Sequence, residues 1–557
     1  MMPMNPSPTP TSSKNVSLED VRRSITFHPS VWGDHFLSYN SDITEISEDE
    51  DKELERQKER VKDLLVHTPD DSLCKLDLID TIQRLGVGYH FEKEIDTSLR
   101  NIHGACILEY YDHKDDDLRV VSLRFRLLRQ HGYNLSCNVF DKFMDNKGNL
   151  IHSFEDDLEG ILSLYEAVHL GVQGEDILDK ALEFSSSHLE SLLHKMPKTL
   201  ATKVSEALKH PLSKSLNRLA AKQFISMYKE DDSHNPLLLN FAKLDFNILQ
   251  KVHQKELSSI TRWWKDLDFA NRLPFARDRL VECYFWTLAI YFEPRFHLAR
   301  KFLVKVLCIT SVIDDIYDIH GTLDDLQLFT DAIQSWNFDA LEQLPPYMRT
   351  CYKALLDVYA EMEDEIGNTG TTYSVQYAIN EVKRLVSAYM EEAKWLYGKH
   401  TPTVEEYMKV ALVSSGYTML SVTSFVGMGD LVTKQMCDWV VSESRIVRAS
   451  SIICRLMDDM VGYGKESKIT AVECYMKQND ASEAEAFADF REQVKKAWKD
   501  MNEEWLQTTT APLRVMMNVV NLARVINLLY VDEDGYTNSK TETKYFINYV
   551  LVEPVIV

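Results

Sequence analysis

Hydrophobic residues recur roughly every three or four positions over most of the chain, which is the spacing of one face of an α-helix. In the acidic run from residue 48, Leu54, Val61, Leu64 and Leu65 form one apolar stripe among charged residues. Stretches such as LEGILSLYEAVHL and LLLNFAKLDFNILQ continue this pattern. Only 19 Gly and 16 Pro in 557 residues interrupt it. The sequence therefore predicts an all-α protein of long helices.

A change in composition divides the helical pattern into two parts. The stretch MYKEDDSHNP, which ends at Pro236, breaks the apolar periodicity with charge, Asn and Pro. The first residues are rich in Ser, Thr and Pro, a composition typical of disordered segments. We therefore predict a disordered tail over 1–24, an N-terminal helical domain over 25–232 and a C-terminal helical domain over 233–557.

The stretch Phe302 to Gly321, FLVKVLCITSVIDDIYDIHG, combines a buried-looking apolar run with three acids. On a helix, Asp314 and Asp318 share a face and Asp315 lies one position round. Carboxylates at the edge of an apolar interior are costly unless a cation joins them. Oxygen ligands of this kind favour Mg²⁺. The alternative at this point is a solvated acidic helix end.

A second acidic stretch, IICRLMDDMVGYGKE, also follows an apolar run. Asp458, Gly462 and Glu466 are spaced by four, so Asp458 and Glu466 fall on one helical face, roughly two turns apart. Two acidic helix ends behind apolar stretches predict facing walls of one cavity in a helical bundle. Taken alone, this stretch could equally be a solvated face.

Arginine residues accompany both acidic stretches. Arg277 and Arg279 precede the apolar segment LVECYFW, and Arg455 lies three residues before Asp458. Guanidinium groups bind phosphate oxygens in pairs and stay charged. Metal-binding carboxylates together with these arginines predict a receptor for a diphosphate. For Arg277 and Arg279 alone, a surface ion pair with Asp278 or Glu282 is the simpler explanation.

Composition restricts the possible partners and location. A net charge of −24 argues against nucleic acid and against an anionic membrane surface. No apolar segment reaches roughly 18 residues, so we expect no membrane insertion. Nine scattered cysteines without metal-site spacing suggest reduced thiols, and the N-terminus lacks the apolar region of a signal peptide. We expect a cytoplasmic monomer.

From about Phe27 to Val557 the chain resembles the plant terpene synthases, most closely the sesquiterpene synthases. The resemblance is carried by RRSITFHPSVW, RDRLVECYFW, VIDDIYD, RLMDDMVGYGKE, VECYMK and DEDGYT. It implies a C-terminal class I terpenoid synthase bundle that holds the active site. It also implies an N-terminal α-barrel-like domain without one.

The resemblance also implies roles for individual residues. Metal ligands would be Asp314, Asp315, Asp318, Asp458, Gly462 and Glu466, holding about three Mg²⁺ ions with Mn²⁺ as a substitute. The substrate-binding set would be Arg277, Arg279, Arg455 and Trp286. Catalysis would involve Asp314 and Asp318, together with Tyr530 and Asp534 of a loop that covers the active site.

The expected reaction is Mg²⁺-dependent ionisation of farnesyl diphosphate and cyclisation of the carbocation. Arg22 and Arg23 before Trp32 favour the alternative of a monoterpene synthase acting on geranyl diphosphate. No DxDD pattern occurs, so cyclisation initiated by protonation is not expected. Gly462 stands where the family often has Ser or Thr, and the link from Glu466 to Glu473 is shorter than usual. A catalytically silent helical relative is therefore a further alternative.

Overall fold

The computed structural model describes residues 27–39, 44–107, 117–145, 151, 155–368, 370–465, 468–507 and 511–556. The predicted tail, Arg22, Arg23 and Glu466 lie outside these ranges. All regular elements within them are helices, which confirms the predicted all-α class. None of these helices is both long enough and apolar enough to cross a membrane.

Eight α-helices form the first half of the chain. They are α1 (Glu48–His67), α2 (Leu73–Arg84), α3 (Glu92–Ile107), α4 (Leu118–Gln130), α5 (Leu158–Val168), α6 (Asp176–Leu192), α7 (Lys198–Lys209) and α8 (Asn217–Lys229). Their apolar faces build two adjoining cores, one among α1 to α4 with α8 and the other among α4 to α7. The first core also includes Leu238 to Ile248, in the first half of the following helix.

Fifteen described α-helices follow in the second half. They are α9 (Pro236–Asp266), α10 (Phe269–Arg272), α11 (Leu280–Ile290), α12 (His297–Asp315), α13 (Leu323–Ser335), α14 (Pro346–Ile366), α15 (Tyr373–Tyr397), α16 (Val404–Ser414), α17 (Tyr417–Thr423), α18 (Lys434–Val441), α19 (Arg445–Gly462), α20 (Ala471–Asn479), α21 (Glu483–Gln507), α22 (Leu513–Leu529) and α23 (Glu542–Ile547). Single π-helical turns follow α12 at Ile316–His320 and α23 at Asn548–Val552.

Helix α11 is the centre of the second half. Every residue from Leu280 to Ile290 is buried, as expected for a helix that is apolar on all sides. Helix α12 packs beside it, with Phe302, Leu303 and Val304 fully enclosed. The buried run that precedes the acids thus lies in the core, and the acids emerge at its end.

Both ends of the described chain pack across the boundary predicted at residues 232 and 233. Trp32 joins the core of the second half, and its indole N–H donates to Oε1 of Glu282 on α11 at 3.2 Å. At the other end, Nζ of Lys222 on α8 donates to the carbonyls of Tyr549 and Glu553, both at 2.5 Å. The two halves are therefore closely joined, and the exact domain division stays a prediction.

Candidate active site

The end of α12 carries the first acidic group. Asp314 and Asp315 are the last two residues of the helix, and Asp318 lies in the π-helical turn that follows. Gly321 ends this turn, and its N–H donates to the carbonyl of Ile316 at 2.8 Å. A π-helical turn widens the helix locally and is frequent at functional sites.

Arg277 binds the two adjacent acids differently. Its Nη2 donates to Asp314 at 2.6 Å, while its backbone N–H donates to Asp315 at 2.7 Å and its Nε lies 2.9 Å from the other oxygen of Asp315. Burial raises the pKa of Asp315 to about 6, against the opposing effect of Arg277. Asp315 is enclosed, whereas Asp314 keeps a quarter of its side chain exposed. Asp314 is therefore the more accessible of the two carboxylates.

The second acidic group lies at the end of α19. Asp458 keeps 20% of its side chain exposed, whereas the neighbouring Asp459 is buried. Asp459 accepts hydrogen bonds from the hydroxyl of Tyr407 and from the backbone N–H of Ala471, both at 2.8 Å. Asp459 thus fixes the start of α20, and Asp458 is available at the site.

Arg455 lies behind Asp458 in a buried position. Its Nη1 is 3.2 Å from carboxylate oxygens of both Asp458 and Asp459, and its Nη2 donates to the hydroxyl of Ser414 at 3.2 Å. Next to it, Glu392 accepts a hydrogen bond from Ser414, and burial raises the pKa of Glu392. Arg455 therefore supports the acidic wall from within as well as contributing charge to it.

A lysine that the sequence reasoning did not single out lies between the two acidic groups. Nζ of Lys468 is 3.9 Å from Asp318 and 3.7 Å from Asp458. Asp318 and Asp458 therefore face one opening, as the facing-walls hypothesis requires. Lys468 lies in the link after Glu466, whose short length is the one feature of the sequence that marks this region. The lysine itself gives no signal, because a single charged residue forms no periodic pattern.

The loop after α22 forms the edge of this opening. Oδ1 of Asp534 accepts the N–H groups of Tyr536 and Thr537, each at 2.9 Å, which fixes the turn. The hydroxyl of Thr537 in turn accepts a hydrogen bond from Nη1 of Arg277 at 3.0 Å. Tyr530, at the end of α22, is 7% exposed, and burial raises the pKa of its hydroxyl well above the ordinary value. Asp534 thus acts here by shaping the loop.

Arg279 joins this loop to the N-terminal segment. Its guanidinium donates to the carbonyl of Thr537 at 2.7 and 3.1 Å and to the carbonyl of His28 at 3.0 Å. Only 2% of Arg279 is exposed. In this arrangement Arg279 holds the loop and the N-terminal segment together, whereas Arg277 reaches the acids.

Trp286 and Tyr536 form an aromatic corner. Their rings meet edge to face, with centroids 5.7 Å apart at 89°. The hydroxyl of Tyr536 bonds to Oγ of Ser311 at 2.7 Å, one turn before Asp315. An aromatic face therefore lies within reach of the acidic helix end.

Two predicted ligands of the second metal motif receive little support from the geometry. Gly462 is the last residue of α19 and offers no side-chain oxygen. Glu466 lies outside the described residues, so its role stays a prediction. In the described ranges, no three His, Cys, Asp or Glu side chains converge closely enough to complete an ion site.

The residues nevertheless fit a divalent cation. Asp314, Asp318 and Asp458 offer only oxygen donors, which suit hard cations. The positive groups of Arg277 and Lys468 lie within ion-pair distance of these three acids. Three carboxylates at one site need positive charge beside them. Arg277 and Lys468 supply part of it in this structure, and a bound metal ion would supply more.

A separate cavity of about 580 Å³ lies between the two halves of the chain. It is lined by residues such as Arg84, Glu166, His210, Trp498 and Arg524, and it contains none of the predicted site residues. The acidic opening, and not this cavity, is therefore the candidate active site.

Comparison with known proteins gives matches over most of the chain. Residues 31–208 match the terpene synthase N-terminal domain, and residues 265–500 match the metal binding domain of the terpene synthase family. A (−)-germacrene D synthase of Origanum vulgare is 58% identical over 550 residues, covering 99% of this chain and 98% of that protein. A β-caryophyllene synthase of Phyla dulcis is 56% identical over 550 residues, covering 98% of this chain and 99% of that protein.

Solved structures agree with this assignment. A limonene synthase with 2-fluorolinalyl diphosphate has a TM-score of 0.90 and 34% identity, covering 96% of this chain and all of that chain. The isoprene synthase of grey poplar, in complex with three Mg²⁺ ions and dimethylallyl-S-thiolodiphosphate, has a TM-score of 0.85 and 33% identity, covering 93% and 99%. The predicted resemblance is confirmed: the chain belongs to the terpene synthase family, whose metal-binding domain it contains.

Proposed function

We propose that the protein is a class I sesquiterpene synthase that ionises farnesyl diphosphate, cyclises the resulting carbocation and releases diphosphate. The observation that carries this proposal is the pair of acid-bearing helix ends. Asp318 and Asp458 face each other across Lys468, and Arg277 binds Asp314 beside them. An acidic site with arginine and lysine at its edge suits a diphosphate bridged by metal ions.

The metal of this proposal is Mg²⁺, in a cluster of about three ions. Asp314, Asp318 and Asp458 would hold it, and Asp315, Gly462 and Glu466 stay predictions. Bound Mg²⁺ would supply positive charge that stabilises the departing diphosphate. Arg277 adds a guanidinium in a fixed place, since Thr537, Asp314 and Asp315 all bind it.

Buried hydroxyl and thiol groups of the second half are held in their neutral forms, which are weaker nucleophiles towards a carbocation than the anions. Burial raises the pKa of the hydroxyls of Tyr530 and Tyr536 well above the ordinary range, and it raises the pKa of the Cys454 thiol to about 12. These groups therefore stay protonated and neutral at physiological pH. The π faces of Trp286 and Tyr536 can stabilise positive charge without forming a bond to it. The Asp534 loop lies at the edge of the opening, where closure over a bound substrate would exclude water.

The names of the matched relatives support a fifteen-carbon substrate. Germacrene D and β-caryophyllene are sesquiterpenes, and the proteins that carry these names match nearly the whole chain. The alternative of geranyl diphosphate rests on Arg22 and Arg23, which lie outside the described residues. No observation in the described part of the chain favours it.

Incubation of the purified protein with MgCl₂ and geranyl, farnesyl or geranylgeranyl diphosphate tests the proposal. We expect gas chromatography to show sesquiterpenes from farnesyl diphosphate. Asp314→Ala should reduce product at least about 100-fold, because it removes a carboxylate that would hold the Mg²⁺ needed to stabilise the departing diphosphate. A main product from geranyl diphosphate would establish the monoterpene alternative. If none of the three substrates gave a product, the remaining hypothesis would be a catalytically silent relative.

We also propose a cytoplasmic monomer. Six of the nine cysteine side chains are buried in the helical cores, which suits reduced thiols in a reducing compartment. Light scattering on the purified protein decides the oligomeric state, since a dimer would double the measured mass.

A further inference from the structure

Lys468 occupies an unusual place among the charges of the site. Its ammonium is 3.9 Å from Asp318 of the first acidic wall and 3.7 Å from Asp458 of the second. Both distances are longer than a direct hydrogen bond. The side chains of all three residues are between 20% and 26% exposed, so they border the opening and are accessible to solutes.

The local chain geometry fixes this position. Helix α19 ends at Gly462, and α20 begins directly after its N-cap Thr470, so Lys468 lies two residues before a fixed point. Thr470 forms a capping box with Glu473, and the N–H of Ala471 donates to the buried Asp459. The described end of the link, from Lys468 to Thr470, is thus held beside the second acidic wall, and Lys468 lies at the opening.

The charges around Lys468 explain what it does before a metal binds. Asp314, Asp318 and Asp458 repel one another across the opening, and the buried Glu392 lies near enough to Lys468 to feel its charge. Arg277 compensates Asp314. Arg455, which lies 3.2 Å from Asp458, compensates part of its charge from within, and Lys468 adds positive charge between Asp318 and Asp458.

We propose that Lys468 is an internal counter-ion that competes with the divalent metal for Asp318 and Asp458, and that turns to the diphosphate once metal holds these carboxylates. The inference rests on the proposed function, because it requires a metal-bridged diphosphate. A divalent ion on the carboxylates repels the ammonium, while the charges of the diphosphate attract it. The lysine therefore opposes metal binding alone and favours binding of metal together with diphosphate.

Two binding measurements with opposite expected signs test this proposal. Electron paramagnetic resonance measures Mn²⁺ bound to the protein alone, and calorimetry measures inorganic diphosphate bound in saturating Mn²⁺. Lys468→Gln should bind Mn²⁺ about five- to tenfold more tightly and inorganic diphosphate about five- to tenfold more weakly, as expected for loss of one partly exposed charge. Lys468→Arg, which keeps the charge, should shift both constants by less than about twofold.

Lys465→Gln is the matched control, because it removes the same charge from an exposed position three residues earlier in the same link. It should change either constant by less than about twofold. Equal shifts in Lys465→Gln and Lys468→Gln, or an unchanged Lys468→Gln in a protein that binds both probes, would overturn the inference and leave the proposed function intact. A wild-type protein that binds neither probe would overturn both.

Discussion

Adjacent aspartates at the end of α19 have separate tasks. Asp459 is enclosed by Tyr407, Arg455 and the first turn of α20, whereas Asp458 remains partly exposed beside Lys468. One position of rotation on a helix thus separates a carboxylate that holds the structure together from one that is accessible to a ligand.

This division predicts opposite results for two substitutions. Asp459→Asn should destabilise the fold by roughly 2 kcal/mol, because buried hydrogen bonds to a charged group are lost. Asp458→Asn should leave the apparent Tm nearly unchanged and weaken Mn²⁺ binding at least about tenfold. Thermal unfolding and Mn²⁺ titration of both variants give the comparison. Equal losses of stability would contradict the assignment.

Sequence spacing predicted which charged residues share a helix end, but it did not predict which partner each side chain contacts. The i, i+4 relation placed Asp314 and Asp318 correctly at one helix end. It could not show that Asp315 faces Arg277, or that Arg279 binds backbone carbonyls of His28 and Thr537. These contacts join residues far apart in the chain, and no local pattern encodes them.

The start of α20 is fixed beside the second acidic wall, because the N–H of Ala471 donates to Asp459 of α19. The end of the connection between the two helices is fixed by the capping box, in which the carboxylate of Glu473 accepts the N–H of Thr470 at 2.7 Å and its hydroxyl at 3.2 Å. Loss of this cap would free the first turn of α20 and, with it, the backbone that carries Lys468.

Glu473→Ala is expected to cost about 1 kcal/mol and to speed amide hydrogen exchange over residues 468–473. Glu485→Ala is the matched control, because Glu485 makes the same contacts with Ser482 at the exposed start of α21. Both variants lose a helix cap, but only Glu473→Ala should weaken binding of inorganic diphosphate in Mn²⁺. Similar weakening of diphosphate binding in both variants would show that it does not arise from the loss of a cap beside the opening.

The helical class was predictable because apolar periodicity and the scarcity of Gly and Pro act locally. The break at MYKEDDSHNP also falls between α8 and α9. The packing of the first half of α9 with the N-terminal helices was not predictable, because the periodicity of a 31-residue helix shows that one face is buried but not which partner covers each part.

His131 makes the stability of the fold dependent on pH. It follows the last residue of α4 and borders the cavity between the two halves, and burial lowers its pKa from 6.5 to about 4. Nε2 of Gln83 lies 2.5 Å from Nε2 of His131, a contact that requires the neutral ring as acceptor. The contribution to stability is therefore complete above pH 6.5, and it is lost as the pH falls towards 4, because the unfolded chain binds the proton more readily.

His131→Gln keeps a neutral polar group and removes this titration. Between pH 7 and pH 5 the wild-type free energy of unfolding should fall by roughly 2 kcal/mol more than that of the variant. Chemical denaturation at both pH values measures the difference. Comparison with the variant is needed because buried acids with raised pKa, such as Asp315 and Glu166, change stability in the opposite sense. Parallel pH profiles would exclude His131 as the cause.

Arg279 has a consequence for synthesis of the protein on the ribosome. Its guanidinium binds the carbonyls of His28 and Thr537. The edge of the opening is therefore built from the first and last parts of the described chain. Asp314 and Asp458 leave the ribosome well before residue 537 does. A nascent chain thus carries the acids proposed to hold metal before Thr537 can join Arg279 and His28. The edge of the opening is therefore assembled only after almost all of the described chain has been synthesised.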